Sequence, residues 1–189
     1  MPLVTIIGEI LGCSGFGCKE LQVEYKFITE GDKWKCVKGL VSGTTWVAEE
    51  MIDKKCVLNH PIQVQYAASG LHGWPKLRVQ VNSIDDEDRI DLAGYGFCHV
   101  PLSSGMQEVE IVTSRPQGDF WTSISSSFVG GFPKLKNPDV IAKASSKNIA
   151  HNVHTQGIVH VKFSVITSNI KTNGTTIGES KSAQLWLST

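Results

Sequence analysis

Apolar and polar residues alternate with a period of two along much of this chain. Leu21, Val23, Tyr25 and Phe27 alternate with Gln22, Glu24 and Lys26, the pattern of a strand with one buried face. Ile62, Val64 and Tyr66 alternate with Gln63 and Gln65, and Leu77, Val79 and Val81 with Arg78, Gln80 and Asn82. Further strands are expected over 4–11, 44–48, 90–100, 107–113 and 157–167. Pro61 and Pro75 are placed at strand starts, where a missing N–H is tolerated. Many short strands separated by turn residues predict an all-β antiparallel sandwich or barrel. One stretch departs from the pattern: DFWTSISSSFVGGF (119–132) is expected to hold a short helix, capped by Asp119 and stopped by Gly130 and Gly131. From Lys171 the chain turns polar and turn-rich, so 1–170 is read as the domain and 171–189 as a tail with Trp186 between two leucines.

Composition narrows the class of partner. A chain of 189 residues suits one domain with a real core. Lys+Arg and Asp+Glu are equal at 18 each, whereas a nucleic-acid binder held by phosphate contacts needs a basic excess. The opening MPLVTIIGEILGCSG lacks a basic n-region and Glu9 interrupts its apolar run, so it reads as a first strand rather than a signal peptide. No stretch reaches the roughly 20 apolar residues of a membrane span. Five cysteines, at 13, 18, 36, 56 and 98, form an odd set, and reduced thiols in the cytosol are expected. The sequon at Asn173 is then not expected to be glycosylated.

Several short motifs invite chemistry. In LAGYGFCHVP (92–101) a cysteine adjoins a histidine. If the stretch is a strand, Cys98 and His99 point to opposite faces and form no thiolate–imidazole pair. Leu92, Gly94, Gly96, Cys98 and Val100 are placed on one face and Tyr95, Phe97 and His99 on the other; the glycines imply close approach of another backbone or ring, or a bulge. GCSGFGCK (12–19) has glycines at phosphate-loop spacing, but Cys18 stands where the lysine belongs and a strand follows, so a glycine-rich turn is expected. Neither Cys13 and Cys18 nor His151, His154 and His160 have the spacing of a metal set, and no metal is expected. NSIDDEDRID (82–91) could supply oxygens to calcium, or be a solvated hairpin tip; the tip is favoured because no second acidic loop accompanies it. Small basic clusters (Lys33, Lys35, Lys38; Lys54, Lys55; Lys134, Lys136) are read as solvated surface by default, and would allow contact with an anionic membrane surface if they converged on one face. GxSxG, HExxH and Walker signatures are missing.

Three stretches together resemble the B9-domain family: NHPIQVQY (59–66), GLHGWPKLRVQV (70–81) and LAGYGFCHVPLSSG (92–105). GEILGCSGF, WKCVKGLVSGTT (34–45), SFVGGFPKL (127–135) and TQGIVHVKF (155–163) extend the resemblance to residues 5–169, and GYGFCHVP with GLHGWP is most similar to the family's second, stumpy-like branch. The resemblance implies a C2-like β-sandwich without catalytic activity, cofactor or small-molecule substrate. It also implies membership of the Meckel-syndrome (tectonic-like) complex at the ciliary transition zone and basal body, where the family's three B9 proteins associate and help maintain the diffusion barrier. The family often has Ser-Pro-Gly after Val-Pro, where this chain has Leu102-Ser103-Ser104-Gly105. The alternative from a different class is a calcium-independent, peripheral phospholipid-binding module.

If Leu92, Cys98 and Val100 point inward, Tyr95, Phe97 and His99 are left on the far face, with Leu102 just beyond. Such an apolar patch is expected to contact another B9-domain protein, unless the aromatic stretch 119–135 folds back over it. Trp74 is expected to pack at a sandwich end, with Pro75 opening a strand.

Overall fold

Among the described residues the chain forms ten strands: β1 Leu3–Ser14, β2 Glu20–Ile28, β3 Trp34–Gly39, β4 Ser42–Thr44, β5 Ala48–Glu49, β6 Lys55–Ala68, β7 Lys76–Ile84, β8 Ile90–His99, β9 Gly105–Pro116 and β10 Val153–Ser168. They come from a computed structural model that describes residues 2–51, 53–70, 72–85, 87–116, 139 and 153–168. The expected helix at 119–132 and tail at 171–189 lie outside the described residues, and no helix occurs among those described.

All ladders are antiparallel, in the order β3-β6-β1-β10-β9-β8-β7-β2-β4, with β5 also on β2. β10 therefore sits in the middle, paired with β1 along Leu3–Ser14 and with β9 along Gly105–Pro116. Between β8 and β9 only Tyr95 and Ser114 are in register. The sheet turns over at that seam, and its two halves close on each other as a sandwich. A single core results, built from alternate residues of both halves: Val4, Ile6, Ile10, Val159, Val161 and Phe163 on one side, Leu21, Val23, Phe27, Leu77, Val79 and Val81 on the other. Burying a side chain of this kind contributes about 1.5–3 kcal/mol, so this periodic set is what selects the fold.

One end of the sandwich is sealed by aromatics. Trp74 meets Trp34 edge-on at 5.3 Å and Trp34 meets Tyr66 edge-on at 6.1 Å. Trp74 Nε1 donates to the Val100 carbonyl (2.8 Å) and Trp34 Nε1 to the His72 carbonyl (2.8 Å). Pro75 directly precedes β7, and its carbonyl accepts from Val100 N–H. Trp74 thus ties the start of β7 to the end of β8, in the role expected of it.

Four local readings differ from the sequence expectation. Pro61 lies inside β6, not at its start. It is tolerated because β3 pairs only with residues from Val64 onward, leaving Pro61 on an edge with β1 alone beside it. The strand expected over 44–48 is split into β4 and β5 by Thr45, whose hydroxyl accepts from Val23 N–H at 3.0 Å while its own N–H goes to the Val23 carbonyl. Strand β3 was hidden by a lysine-rich sequence whose residues 35–40 are all exposed. Finally, the register of β7 against β8 slips between Val81 and Asn82, making Ala93 an extra residue. That bulge reverses the facing of Leu92, which pairs with Asn82 on the outer side rather than sharing the inner side with Gly94, Gly96 and Cys98.

Candidate functional site

Gly96 settles what the 92–101 stretch is for. A Cβ built there would lie 2.7 Å from Ile111 Cγ2 and 3.0 Å from the Val112 carbonyl, so the glycine lets β9 pass close over β8, as the spacing implied. Cys98 pairs with Leu77 on the inner face, and burial pushes its thiol up to about 12. His99 is exposed on the other face, edge-on to Phe97 at 6.1 Å. Cysteine and histidine therefore do not act together.

The outward set divides. Tyr95 is 2% exposed and Leu92 is fully buried; Phe97 is half-buried, His99 exposed, and Leu102 53% exposed. Tyr95 therefore contributes nothing to a surface patch. Its face of the sheet is a buried polar layer. Asn82 Nδ2 donates to Glu24 (2.8 Å), Gln80 Nε2 donates to Asn82 (3.0 Å), and Lys26 and Arg78 reach the Asp139 carboxylate at 2.5 and 3.4 Å. Because Tyr95 is the cross-strand partner of Gln80, it belongs to this layer.

At the acidic loop, Asp85 turns its carboxylate inward on its own hairpin. One oxygen accepts from the N–H groups of Glu87 and Arg89 (3.0 and 2.9 Å), the other from the Arg89 guanidinium at 2.7 Å. Those hydrogen bonds, above all the backbone N–H of Arg89, hold the Asp85 carboxyl below its usual range. Arg89 also reaches Glu87 at 3.0 Å. Arg89 is thus shared by Asp85 and Glu87 at an exposed tip, and among the described residues no cluster of three or more His, Cys, Asp or Glu could hold a metal. Of GCSGFGCK (12–19), Gly12, Cys13 and Ser14 end β1 and only 15–19 form the turn into β2, with Gly15 and Gly17 in the left-handed region (φ 79° and 65°).

A row that sequence reasoning missed crosses the outer face of β9, β10 and β1. Glu110 and His160 are cross-strand partners with His160 Nδ1 3.7 Å from the carboxylate, and His160 Nε2 lies 2.8 Å from Ser14 Oγ. Serine, histidine and glutamate in this order invite comparison with a hydrolase triad. The 3.7 Å gap is too long for the hydrogen bond that would orient the imidazole, and Glu110 is 69% exposed. Ser14 sits in ladders to β6 and β10, and the neighbouring Gly15 N–H goes to the Lys54 carbonyl, so those backbone donors are turned into the sheet rather than toward an oxyanion. Here the row is a polar stripe on a sheet. Separations such as the 146 residues between Ser14 and His160 leave no local signal to find it by.

Around that row the outer face is unusually apolar. Ile7, Val57, Met106, Val112 and Ile166 are 41–68% exposed, on strands β1, β6, β9 and β10. Two depressions indent it. One of about 500 Å³ lies where β1 bulges at Leu11, lined by Leu11, Val57, Val109, Glu110 and His160. The other, about 220 Å³, lies between Ile7, Met106 and Phe163. The ion pair of Lys162 with Glu108 (4.0 Å) crosses the same face.

A second exposed stretch runs along the open side of the sandwich. From Trp34 to Met51 the chain follows β6 backwards: Gly39 pairs with Val64, Leu40 N–H reaches the Gln63 carbonyl, Trp46 packs on His60 at 5.5 Å, and Met51 N–H reaches the Lys55 carbonyl. Thr45 is buried and Val41 packs on the core, while Val37, Leu40, Trp46, Val47 and Met51 are 56%, 67%, 53%, 40% and 61% exposed. His60, held between Trp46 and Tyr25, has its pKa lowered by burial.

Comparison with known proteins identifies the chain. The family model B9-C2, "Ciliary basal body-associated, B9 protein", matches residues 4–166. The human B9 domain-containing protein 2 is 37% identical over 176 residues, covering 92% of this chain and 98% of that protein. The Drosophila melanogaster protein of the same name is 31% identical, covering 75% and 80%. The mouse B9 domain-containing protein 1 is less similar, 29% identical over 91% of this chain and 85% of its own length. Among solved structures, the first C2 domain of plant Extended Synaptotagmin 1 aligns over 87% of this chain and 95% of its own at 11% identity, with a TM-score of 0.45. With its model matched from β1 to β10 and relatives aligned over most of their length, the chain belongs to the B9 family of ciliary basal body-associated proteins.

Proposed function

We propose that this chain is a non-enzymatic scaffold subunit. It binds other B9-domain proteins within the tectonic-like (Meckel-syndrome) complex, on the cytoplasmic side of the ciliary transition zone and basal body, and supports ciliogenesis and the ciliary diffusion barrier. The observation that carries this reading is the outer face of β6, β1, β10 and β9. Soluble domains normally present polar residues on an outer sheet face; here five exposed apolar side chains share the face with two depressions, one lined by Val57 and the other by Ile7 and Met106. Depressions of that size accept a partner's side chains, and the mixed charges around them (Glu108, Glu110, Lys162, His160) supply the polar rim of a protein interface.

Co-precipitation of the full chain with the other two B9 proteins tests this. Met106→Asp with Val112→Asp should abolish binding at an unchanged melting temperature, since both side chains are exposed. Retained binding in that variant, lost instead in His99→Asp with Leu102→Asp, would move the contact to the exposed remainder of the 95–102 stretch. Retained binding in both variants would refute an interface on either surface.

A further inference from the structure

The strap from Lys33 to Ala48 has a different character from the depressed sheet face, and we propose that it is a contact site for an anionic membrane surface. Within these bounds it carries Lys33, Lys35 and Lys38 and no carboxylate, Asp32 standing just before it and Glu49 and Glu50 just after, so its positive charge is concentrated at the β3 end. Its exposed apolar residues are Val37, Leu40, Trp46 and Val47. Along β6, Lys33 is bonded to Ser69, Lys35 lies opposite Ala67, Lys38 opposite Gln65, Leu40 at Gln63 and Trp46 on His60, nine residues or about 30 Å of strand, so lysines and apolar side chains follow one another along a single edge. Tryptophan and aliphatic groups beside lysines suit the boundary of a bilayer: the apolar groups enter among the acyl chains, the indole sits at headgroup level, and the ammonium groups meet lipid phosphates.

A strand-like acidic peptide is the competing occupant, because β3 is an edge of the sheet. The edge is built against it. The register slips between Cys36 and Lys38, leaving Val37 as a bulge, and Gly39 follows at φ 92°. Lysines and bulges are the devices that blunt an edge to strand addition. The described depressions that could take a partner's side chains lie on the other face, along β6, β1, β10 and β9. What the strap offers is a charged, apolar ridge, and a soft anionic surface fits it better than a shaped partner does.

Co-sedimentation of the full chain with phosphatidylcholine vesicles containing roughly 30% phosphatidylserine, at about 0.15 M salt, tests the proposal. Binding is expected to these vesicles and not to phosphatidylcholine alone. Lys35→Glu with Lys38→Glu should weaken it by about 25-fold or more, fivefold for each lysine removed from the surface. Leu40→Ser with Val47→Ser should weaken it about tenfold, each variant keeping the wild-type melting temperature. Brominated acyl chains should quench tryptophan emission in the wild type, and quench less in Trp46→Phe, which keeps a ring on His60. No sedimentation with the anionic vesicles, or variants that bind as the wild type does, would overturn the proposal. So would variants that release the other B9 proteins while vesicle binding is unchanged, an outcome that would assign the strap to a protein partner.

Discussion

Trp74→Ala measures how much the aromatic seal stabilises the sandwich. The ring is half-buried, set edge-on to Trp34 at 5.3 Å, with Nε1 donating to the Val100 carbonyl at 2.8 Å. Truncating a fully buried tryptophan costs about 3–5 kcal/mol, so a half-buried ring is worth about 2. The hydrogen bond adds about 1 kcal/mol, because the Val100 carbonyl loses its indole donor. The expected loss is about 3 kcal/mol. With a urea slope of about 2 kcal/mol per molar, the midpoint should fall by about 1.5 M at constant slope. Trp74→Phe separates the two contributions: it keeps an aromatic against Trp34 and loses the donor, and should cost about 1 kcal/mol. In a double-mutant cycle with Trp34→Ala, a coupling of about 1 kcal/mol is expected for the edge-on pair. A midpoint shift under about 0.3 M for Trp74→Ala would refute the reasoning, since it would mean that the ring stabilises nothing where it sits.

Three further outcomes follow from particular residues. Gly96→Ala forces a Cβ to within 2.7 Å of Ile111 Cγ2 and 3.0 Å of the Val112 carbonyl; backbone and core must shift, and a loss of about 2 kcal/mol is expected by thermal melting, whereas a neutral result would show that β9 has room to move. Because burial lowers the folded-state pKa of His60, its stabilising contribution is present above the unfolded value of about 6.5 and is lost as pH falls from there toward the lower folded value. Stability measured through that window should decline, and His60→Gln should flatten the decline; an identical pH profile in the variant would rule His60 out as its source. With both Asp85 oxygens engaged by its own hairpin, millimolar calcium should leave the melting temperature unchanged, and a rise on titration would reveal a site.

The alternation at 21–27, 62–66 and 77–81 was enough to read the sandwich, because residues that pack its single core recur every second position. The glycine spacing in 94–96 foretold the close passage of β9. What stayed hidden has physical causes. A one-residue bulge at Ala93 reverses everything before it, and period-two reasoning has no means of locating a bulge. Lysine-rich β3 is an edge strand exposed on both faces, so no apolar period marks it. The outer-face apolar set is assembled from residues as distant as Ile7 and Ile166, and looked like ordinary alternation in each strand taken alone. Tyr95 is buried where the sequence leaves both solvent and a cover open, because alternation separates a strand's two faces without showing which of them is covered.

The central place of β10 has a consequence for how this protein comes into being. Among the described strands, the one that joins β1 to β9 is the last to be made. While the nascent chain grows, β1 and β9 each wait with an open side, and their mutual neighbour is still inside the ribosome. Contacts between residues so far apart in sequence form slowly and leave sheet edges open to aggregation meanwhile. A stop codon between Pro116 and Val153 would therefore do more than shorten the protein. It would release two half-sheets with the middle strand missing, a species for chaperones and proteases to deal with and not a smaller version of the domain.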